Sequence, residues 1–320
     1  MIEIPLLVVA GAILLDLAFG DPKNKYHPTA WIGTLIASAV PAAKKMKSER
    51  LGGALVTMAI VSIVALLVIS YEYVVRSLDG VIAVLITTLF GAILLKTTIA
   101  IRGLEIHGRQ VMNLLSQGDI HGARCSLAML VKRNTKDLDE HHIASGVLET
   151  TSENIVDGIT GPLFYYALFG LAGTFVYRTV NTIDSMIGYK DAIFKNMGWF
   201  GANCDKVLNF IPSRITGYVM VLAAALVGAD WKGSLVTLKK DGKKTESPNA
   251  GYPMAAMAGA LGTKFEKVDH YILGDGTSEI NMKQFEIAIR MVKVTSILFC
   301  ILVVAPIIII LSTLGWWIHV

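Results

Sequence analysis

Carboxylates and amides recur at helical spacing in this otherwise apolar chain. Glu149, Glu153 and Asp157 fall at i, i+4 and i+8, with Asn154 beside them. On a helix these make one acidic stripe, which repels itself unless a cation or positively charged ligand sits on it. A solvated acidic face has the same pattern. Here, however, the stripe runs directly into apolar residues 159 to 169, so it lies at a membrane edge. Magnesium, which prefers one or two carboxylates plus phosphate and water, suits such a stripe best. A second polar string is Asn181-Thr182-Ile183-Asp184-Ser185-Met186-Ile187-Gly188-Tyr189, in which Asn181 and Asp184 follow Arg178 at intervals of three. Asp205 and Asn209 share a face just ahead of Pro212 and Arg214, and Ser247-Pro248-Asn249-Ala250-Gly251 forms a turn before an apolar Met254–Leu261 helix. The free amide hydrogens at that helix start suit a phosphate or carboxylate. Taken singly, each set reads as a cap or a turn. Several of them in one membrane chain argue for a site.

The elements that must hold these residues are membrane helices. Of 320 residues 53% are hydrophobic and 17% charged, and the mean hydropathy is +0.57, well outside the soluble range. Spans are expected at 4–19, 51–71, 80–101 and 294–318, of which the last three are long enough for ~30 Å of hydrocarbon. The first is interrupted by Asp16. Lys96 in the third is expected to snorkel, and Trp316 and Trp317 suit an interfacial belt. The first span lacks a basic leader and ends in Gly20-Asp21-Pro22, so it reads as part of the mature protein rather than as a signal peptide. Stretches 159–180, with Pro162, three glycines and Arg178, and 215–229 are ambiguous.

Lysine and arginine set the orientation. Lys23, Lys25, Lys44, Lys45, Lys47 and Arg50 mark segment 20–50 as cytoplasmic, whereas 72–79 carries only Arg76. Segments 102–158 and 230–293 are cytoplasmic by the same rule. Within the former, apolar Leu104, Val111, Leu114 and Leu115, a break at Gln117-Gly118-Asp119, and then Ala123, Leu127, Leu130 and Val131 predict two amphipathic helices. Asp137 and Glu140 have the form of a capping box opening a helix from Leu138. His141 and His142 diverge by ~100° on a helix and do not share a metal. Cys125, Cys204 and Cys300 are scattered, and no Walker, dinucleotide or zincin motif is present. No basic cluster with interleaved aromatics points to nucleic acid.

The order of Asp16, Gly20-Asp21-Pro22, His27-Pro28, Glu149-Thr150-Thr151-Ser152-Glu153-Asn154, Asp157-Gly158, Pro162-Leu163-Phe164, Asn181 to Tyr189, Asn209, Ile211-Pro212, Arg214 and Ser247 to Gly251 with Pro253-Met254 resembles the CbiB/CobD family of cobalamin biosynthesis over nearly the whole chain. It departs at Lys132-Arg133-Asn134-Thr135, where the family commonly has a Gly-Arg-Asp-Thr-like turn, at Ile155 for threonine and at Ser213 for alanine. The resemblance implies an adenosylcobinamide-phosphate (or cobinamide) synthase, a ligase joining the carboxylate of adenosylcobyric acid to aminopropanol or its phosphate, with ATP as co-substrate and Mg2+.

On this reading Glu149, Glu153 and Asp157 hold magnesium or the amine, and Asn154 and Asn181 orient the reactants. Arg178 and Arg214 meet phosphate or corrinoid groups, and Asp184 or Asp205 is a base or second metal ligand. Asp21, His27, Ser185, Tyr189, Asn209, Ser247 and Asn249 complete the substrate contacts. The expected architecture is one all-α, polytopic domain over 1–320 in the cell membrane, with cytoplasmic helical segments. Because ATP is cytoplasmic, the active site faces the cytoplasm and 159–180 forms a re-entrant or buried helical hairpin. Expected partners are the corrinoid, the amine, the bilayer and other late cobalamin-biosynthesis membrane enzymes. A transporter or a corrinoid-binding scaffold is the competing class. Intramembrane Asp16 and Arg178 favour the transporter, and the absence of an internal repeat counts against it.

Overall fold

The computed structural model describes residues 3–78, 80–188 and 194–316, so Tyr189 and Trp317 lie outside the described residues. In chain order the helices are α1 (Glu3–Phe19), α2 (Pro28–Lys44), α3 (Glu49–Arg76), α4 (Gly80–Lys96), α5 (Ile101–Ser116), α6 (Ile120–Ala128) and α7 (Glu140–Ile155). They continue with α8 (Gly161–Ile187), α9 (Trp199–Leu208), α10 (Phe210–Val227), α11 (Trp231–Asp241), α12 (Gly251–Leu261), α13 (Met282–Phe299) and α14 (Ala305–Thr313). π-Helical turns join α7 to α8 (Val156–Thr160) and α13 to α14 (Cys300–Val304). One short antiparallel pair departs from the all-helical expectation: β1 (Phe265–Lys267) pairs with β2 (Tyr271–Leu273). Strands of three residues are too short to show alternation, and their tight turn places Asp269 at φ 61°.

Among the described residues, five helical stretches are long and apolar enough to cross a membrane: Glu49–Val75, Gly80–Ser116, Glu140–Ile187, Phe210–Val227 and Met282–Thr313. α1, with 17 residues, measures ~26 Å at the usual rise. The contacts of the chain gather into two compact units. The first comprises Met1–Ala100, Gly161–Leu208 and Cys300–Val320, and the second Ile101–Thr160 and Asn209–Phe299.

In the first unit α1 and α4 run parallel through small residues. A Cβ on Gly91 would meet Val8, one on Gly11 would lie 3.1 Å from Ala92, and Asp16 faces Lys96. Such close backbone approach is how membrane helices gain packing without a hydrophobic driving force. Segment 20–50, read as cytoplasmic from its lysines, contains the helix α2. Its Ile32, Ile36 and Ala43 share a core with Ile60 and Val64 of α3 and with Phe175, Ile183 and Ile187 of α8. The chain also packs tightly where Gly53 meets the 194–198 turn: a Cβ there would sit 1.8 Å from the Met197 carbonyl oxygen.

Helix α8 is broken in its middle. Phe169 (φ −136°, ψ 17°) and Gly170 (φ 63°, ψ −153°) leave helical space, and the Gly170 pair lies in a region essentially reserved for glycine. Thr174 donates its hydroxyl to the Pro162 carbonyl, and Tyr165 stacks on Tyr177 with ring centroids 5.2 Å apart. Twelve residues of straight helix would separate these partners by ~18 Å. The midpoint of each pair falls at or next to the break, so the chain reverses there as a helical hairpin.

Two side chains clamp the hairpin tip. Glu72 of α3 accepts from the Leu171 N–H (3.0 Å), and the Trp316 indole donates to the Leu168 carbonyl (2.9 Å). Both groups would otherwise be orphans of the broken helix. Trp316 is thus committed to the tip rather than simply to an interfacial belt.

In the second unit the two amphipathic helices appear, the second ending at Ala128, short of the expected Leu130 and Val131. α5 and α6 are separated at Gly118 (φ 76°) and bury Val111, Ala123 and Leu127. α7 starts two residues later than expected. Asp139, not Asp137, caps it by accepting from the His142 N–H at 2.9 Å. α12 is almost wholly buried, and Thr160 of the π turn bonds Thr216 of α10 at 2.7 Å.

Candidate functional site

The acidic stripe lies on α7 of the second unit, but its three members differ. Glu149 is buried, and both its oxygens are occupied. Oε1 accepts from Ser145 (2.8 Å) and Arg133 (3.2 Å), and Oε2 accepts from Arg133 (3.3 Å) and Tyr271 (2.8 Å). Four donors fill the usual acceptor capacity of a carboxylate. Ser145 also accepts the Glu266 N–H (2.8 Å), which ties β1 to the same knot. Burial first, then the charge of Glu149 and the hydrogen bond to it, push the Tyr271 hydroxyl well above its usual range, so Tyr271 stays a donor. Gly146 makes the approach of Arg133 possible, since a Cβ there would lie 2.3 Å from the guanidinium. Glu153 is half-buried and interacts electrostatically with Tyr271. Asp157 sits in the π turn, which displaces it from strict i+4 register with Glu153. π-Bulges of this kind are frequent at functional sites.

The 247–251 turn is held by Arg214. Its guanidinium donates to Asn249 Oδ1 (3.1 Å), the Pro248 carbonyl (3.3 Å) and the Phe210 carbonyl (2.6 Å). It lies between the rings of Phe210 and Tyr252, 3.5 and 4.5 Å from their centroids. Ser247 accepts from the Asn249 N–H (3.3 Å), and Asn209 is buried at the foot of α10. The structure therefore brings Arg214, Ser247 and Asn249 together at the start of α12. Met254, one turn into α12, touches the Tyr271 hydroxyl at 3.9 Å, which connects this turn to the Glu149 knot.

In the first unit Arg178, Asn181 and Asp205 form a line. Arg178 donates to Asn181 Oδ1 (3.2 Å), and Asn181 Nδ2 donates to Asp205 Oδ1 (3.2 Å), joining α8 to α9. Asp184 and Ser185 lie on the next turn of α8, Ser185 exposed and bonded back to the Thr182 carbonyl.

Asp21 and His27 belong to a different cluster of that unit. Lys96, expected to snorkel, is buried. Its ammonium lies 3.1 Å from Asp21 and 3.8 Å from Asp16, and His27 Nε2 faces Asp21 at 3.6 Å. His27 Nδ1 accepts from the Thr29 N–H (3.2 Å), capping α2 with Pro28 in its first turn. A neutral ring that accepts at Nδ1 carries its proton on Nε2. Burial raises the Asp21 carboxyl, but His27 and Lys96 outweigh it and hold the group below its ordinary value. The geometry gives Asp21 and His27 a structural duty, fixing α1, α2 and α4.

A scan against family models matches the CobD/Cbib protein model over residues 9–314. The chain belongs to the CobD/Cbib family. The probable cobalamin biosynthesis protein CobD of Methanothermobacter thermautotrophicus is 39% identical over 300 residues, covering 93% of this chain and 96% of that protein. Its namesake from Methanocaldococcus jannaschii is 35% identical over 312 residues, covering 96% and 97%. The cobalamin biosynthesis protein CobD of Clostridium perfringens is 35% identical over 260 residues, 81% of each chain. No solved structure matches.

For a CobD/Cbib protein the sequence reading missed Arg133, Tyr271 and Ser145, which neutralise and satisfy Glu149. The Lys132–Thr135 departure gave a hint, since its arginine is kept. The distant Tyr271 gave none. Among the described residues no three histidine, cysteine or acidic side chains cluster closely enough to hold a metal. The donors on α7 fit magnesium only in the manner that ion favours, through one or two carboxylates with phosphate and water completing the shell. Glu149 is committed to Arg133, and Glu153 and Asp157 are the stripe members outside that knot.

Proposed function

We propose that this cobalamin-biosynthesis protein is a membrane ligase that uses ATP to join adenosylcobyric acid to aminopropanol or its phosphate. The carrying observation is the α7 stripe, with its π turn at Asp157, placed in an apolar chain of the CobD/Cbib family. Amide formation needs the carboxylate activated, and an acyl phosphate made with ATP is the natural route. The amine nitrogen then forms the C–N bond as the C–O bond to phosphate breaks. Glu153 and Asp157 bind the magnesium–phosphate assembly or the ammonium, magnesium when bound neutralising phosphate charge. Asn154 orients the amine, and the α12 start with Asn249 receives an anionic oxygen. Arg214 keeps that turn in shape. In the first unit, taken by itself, Arg178 and Asn181 present donors and Asp184 and Asp205 acceptors for corrinoid side-chain groups. The reactive face is cytoplasmic, where ATP is found.

Purified protein in lipid, given ATP, magnesium, adenosylcobyric acid and aminopropanol phosphate, is expected to release the amide product, followed by mass. Glu153→Ala and Asp184→Ala should each lower turnover by at least a hundredfold while the protein stays folded. Wild-type turnover in both variants would sink the role assignment, and corrinoid binding without ATP-dependent product would favour a carrier or scaffold.

A further inference from the structure

A cavity of about 210 Å³ opens in the second unit between α5, the end of α6 and α7. One wall is apolar, made by Leu104, Met129 and Leu130. The other carries His107 from α5 and Thr150, Thr151 and Asn154 from α7. Asn154 Nδ2 donates to the Thr150 carbonyl (2.8 Å), which leaves its Oδ1 as the amide's acceptor toward the cavity. Neither the His107 ring nor the Thr150 and Thr151 hydroxyls make a hydrogen bond among the described residues. The polar wall therefore offers acceptors, and no lysine or arginine lines the space. The volume equals roughly seven liquid waters, room for a ligand of a few heavy atoms and too little for a nucleotide or a corrinoid.

We propose that this cavity is the subsite for the small amine substrate, its ammonium held by Asn154 Oδ1 and His107 and its alkyl part against Leu104 and Leu130. The inference rests on the ligase reading and adds His107 as a substrate-binding residue that no sequence motif marks. A phosphate ester on the same amine finds no cationic partner here, so any phosphate points out through the open side.

The test uses full-length protein in lipid nanodiscs and titrates 1-amino-2-propanol by calorimetry, with 1,2-propanediol as the uncharged analogue of similar shape. Saturable binding of the amine, at least tenfold weaker for the diol, is expected. The exposed His107→Ala should weaken amine binding about tenfold, and Leu104→Phe, which fills the apolar side, should do the same. Amine binding that is absent in wild type, or unchanged in both variants, would overturn the proposal.

In turnover, both variants should raise KM for the amine about tenfold with kcat for saturating amine nearly preserved; an unchanged KM counts against the subsite and leaves the ligase reading standing. Wild-type amine binding that the variants abolish, in a protein without ATP-dependent amide formation, supports the subsite while the ligase reading fails.

Discussion

Glu149 looked from the sequence like the first ligand of an acidic stripe, and in three dimensions both its oxygens are occupied by donors from Ser145, Arg133 and Tyr271. Breaking a buried pair leaves an uncompensated charge and typically costs about 3–5 kcal/mol. Arg133→Met is therefore expected to destabilise the protein by about that much, read as a drop in thermal midpoint in lipid. Tyr271→Phe should cost only about 1–2 kcal/mol, since one neutral donor is lost. Equal stability of Arg133→Met and wild type would mean that Glu149 is not neutralised as described.

The Asp21 carboxyl provides a second test at this scale. Its folded pKa lies below the ordinary 3.8, so its contribution to stability is fully present above that pH and is lost as pH falls through the lower folded value. Lys96→Met removes the main cation beside it while desolvation remains, which raises the folded pKa. The acid-unfolding transition should move to higher pH, and Lys96→Arg should restore it. Unfolding followed by near-ultraviolet circular dichroism would check this, and an unmoved acid limb in Lys96→Met would refute the pairing.

At the scale of elements, the hairpin in α8 depends on satisfying the backbone at its own break. Glu72→Ala would leave the Leu171 N–H without its partner in an apolar setting, at a cost of about 1–3 kcal/mol. Glu72→Gln keeps an acceptor oxygen and should recover most of that in the same unfolding measurement. If Gln and Ala were equally damaging, the carboxylate would be acting through charge rather than as a cap. The break itself was legible, because Pro162 and three glycines in an apolar stretch announce irregular backbone. So were α5 and α6, whose apolar period of 3.6 is clean, and the α10 and α12 helices. The clamps were not legible, since Glu72 and Trp316 are distant in sequence from the tip they hold and carry no local signature. α2 was not singled out because its flanking lysines dominate the charge pattern of 20–50, while its buried face shows only against α3 and α8. The π turn at Asp157 was invisible to a reading that assumes ideal helical spacing.

Within the first unit, the direction of travel of the chain decides where the polar string emerges. The hairpin tip meets Glu72, near the end of α3 marked by Arg76, whereas Lys44 lies 5.1 Å from the Phe194 ring and Arg50 5.6 Å from that of Trp199. The second half of α8 therefore runs antiparallel to α3, and Asn181 to Gly188 returns to the lysine-rich end. α1 and α4 run parallel to each other, as they must if the N-terminus and the 72–79 connection share one side. The packing alone requires Ser77 and Ser185 to face opposite sides of a membrane crossed by α3, and the positive-inside rule assigns Ser185 to the cytoplasm. In a background with Cys125, Cys204 and Cys300 replaced, Ser77→Cys should react with a membrane-impermeant thiol reagent in intact cells, and Ser185→Cys only after permeabilisation. Labelling of both from outside would contradict the hairpin's return. Reversal of the pattern would keep the packing but place the polar string away from cytoplasmic ATP, and with it would fall the role given to Asp184.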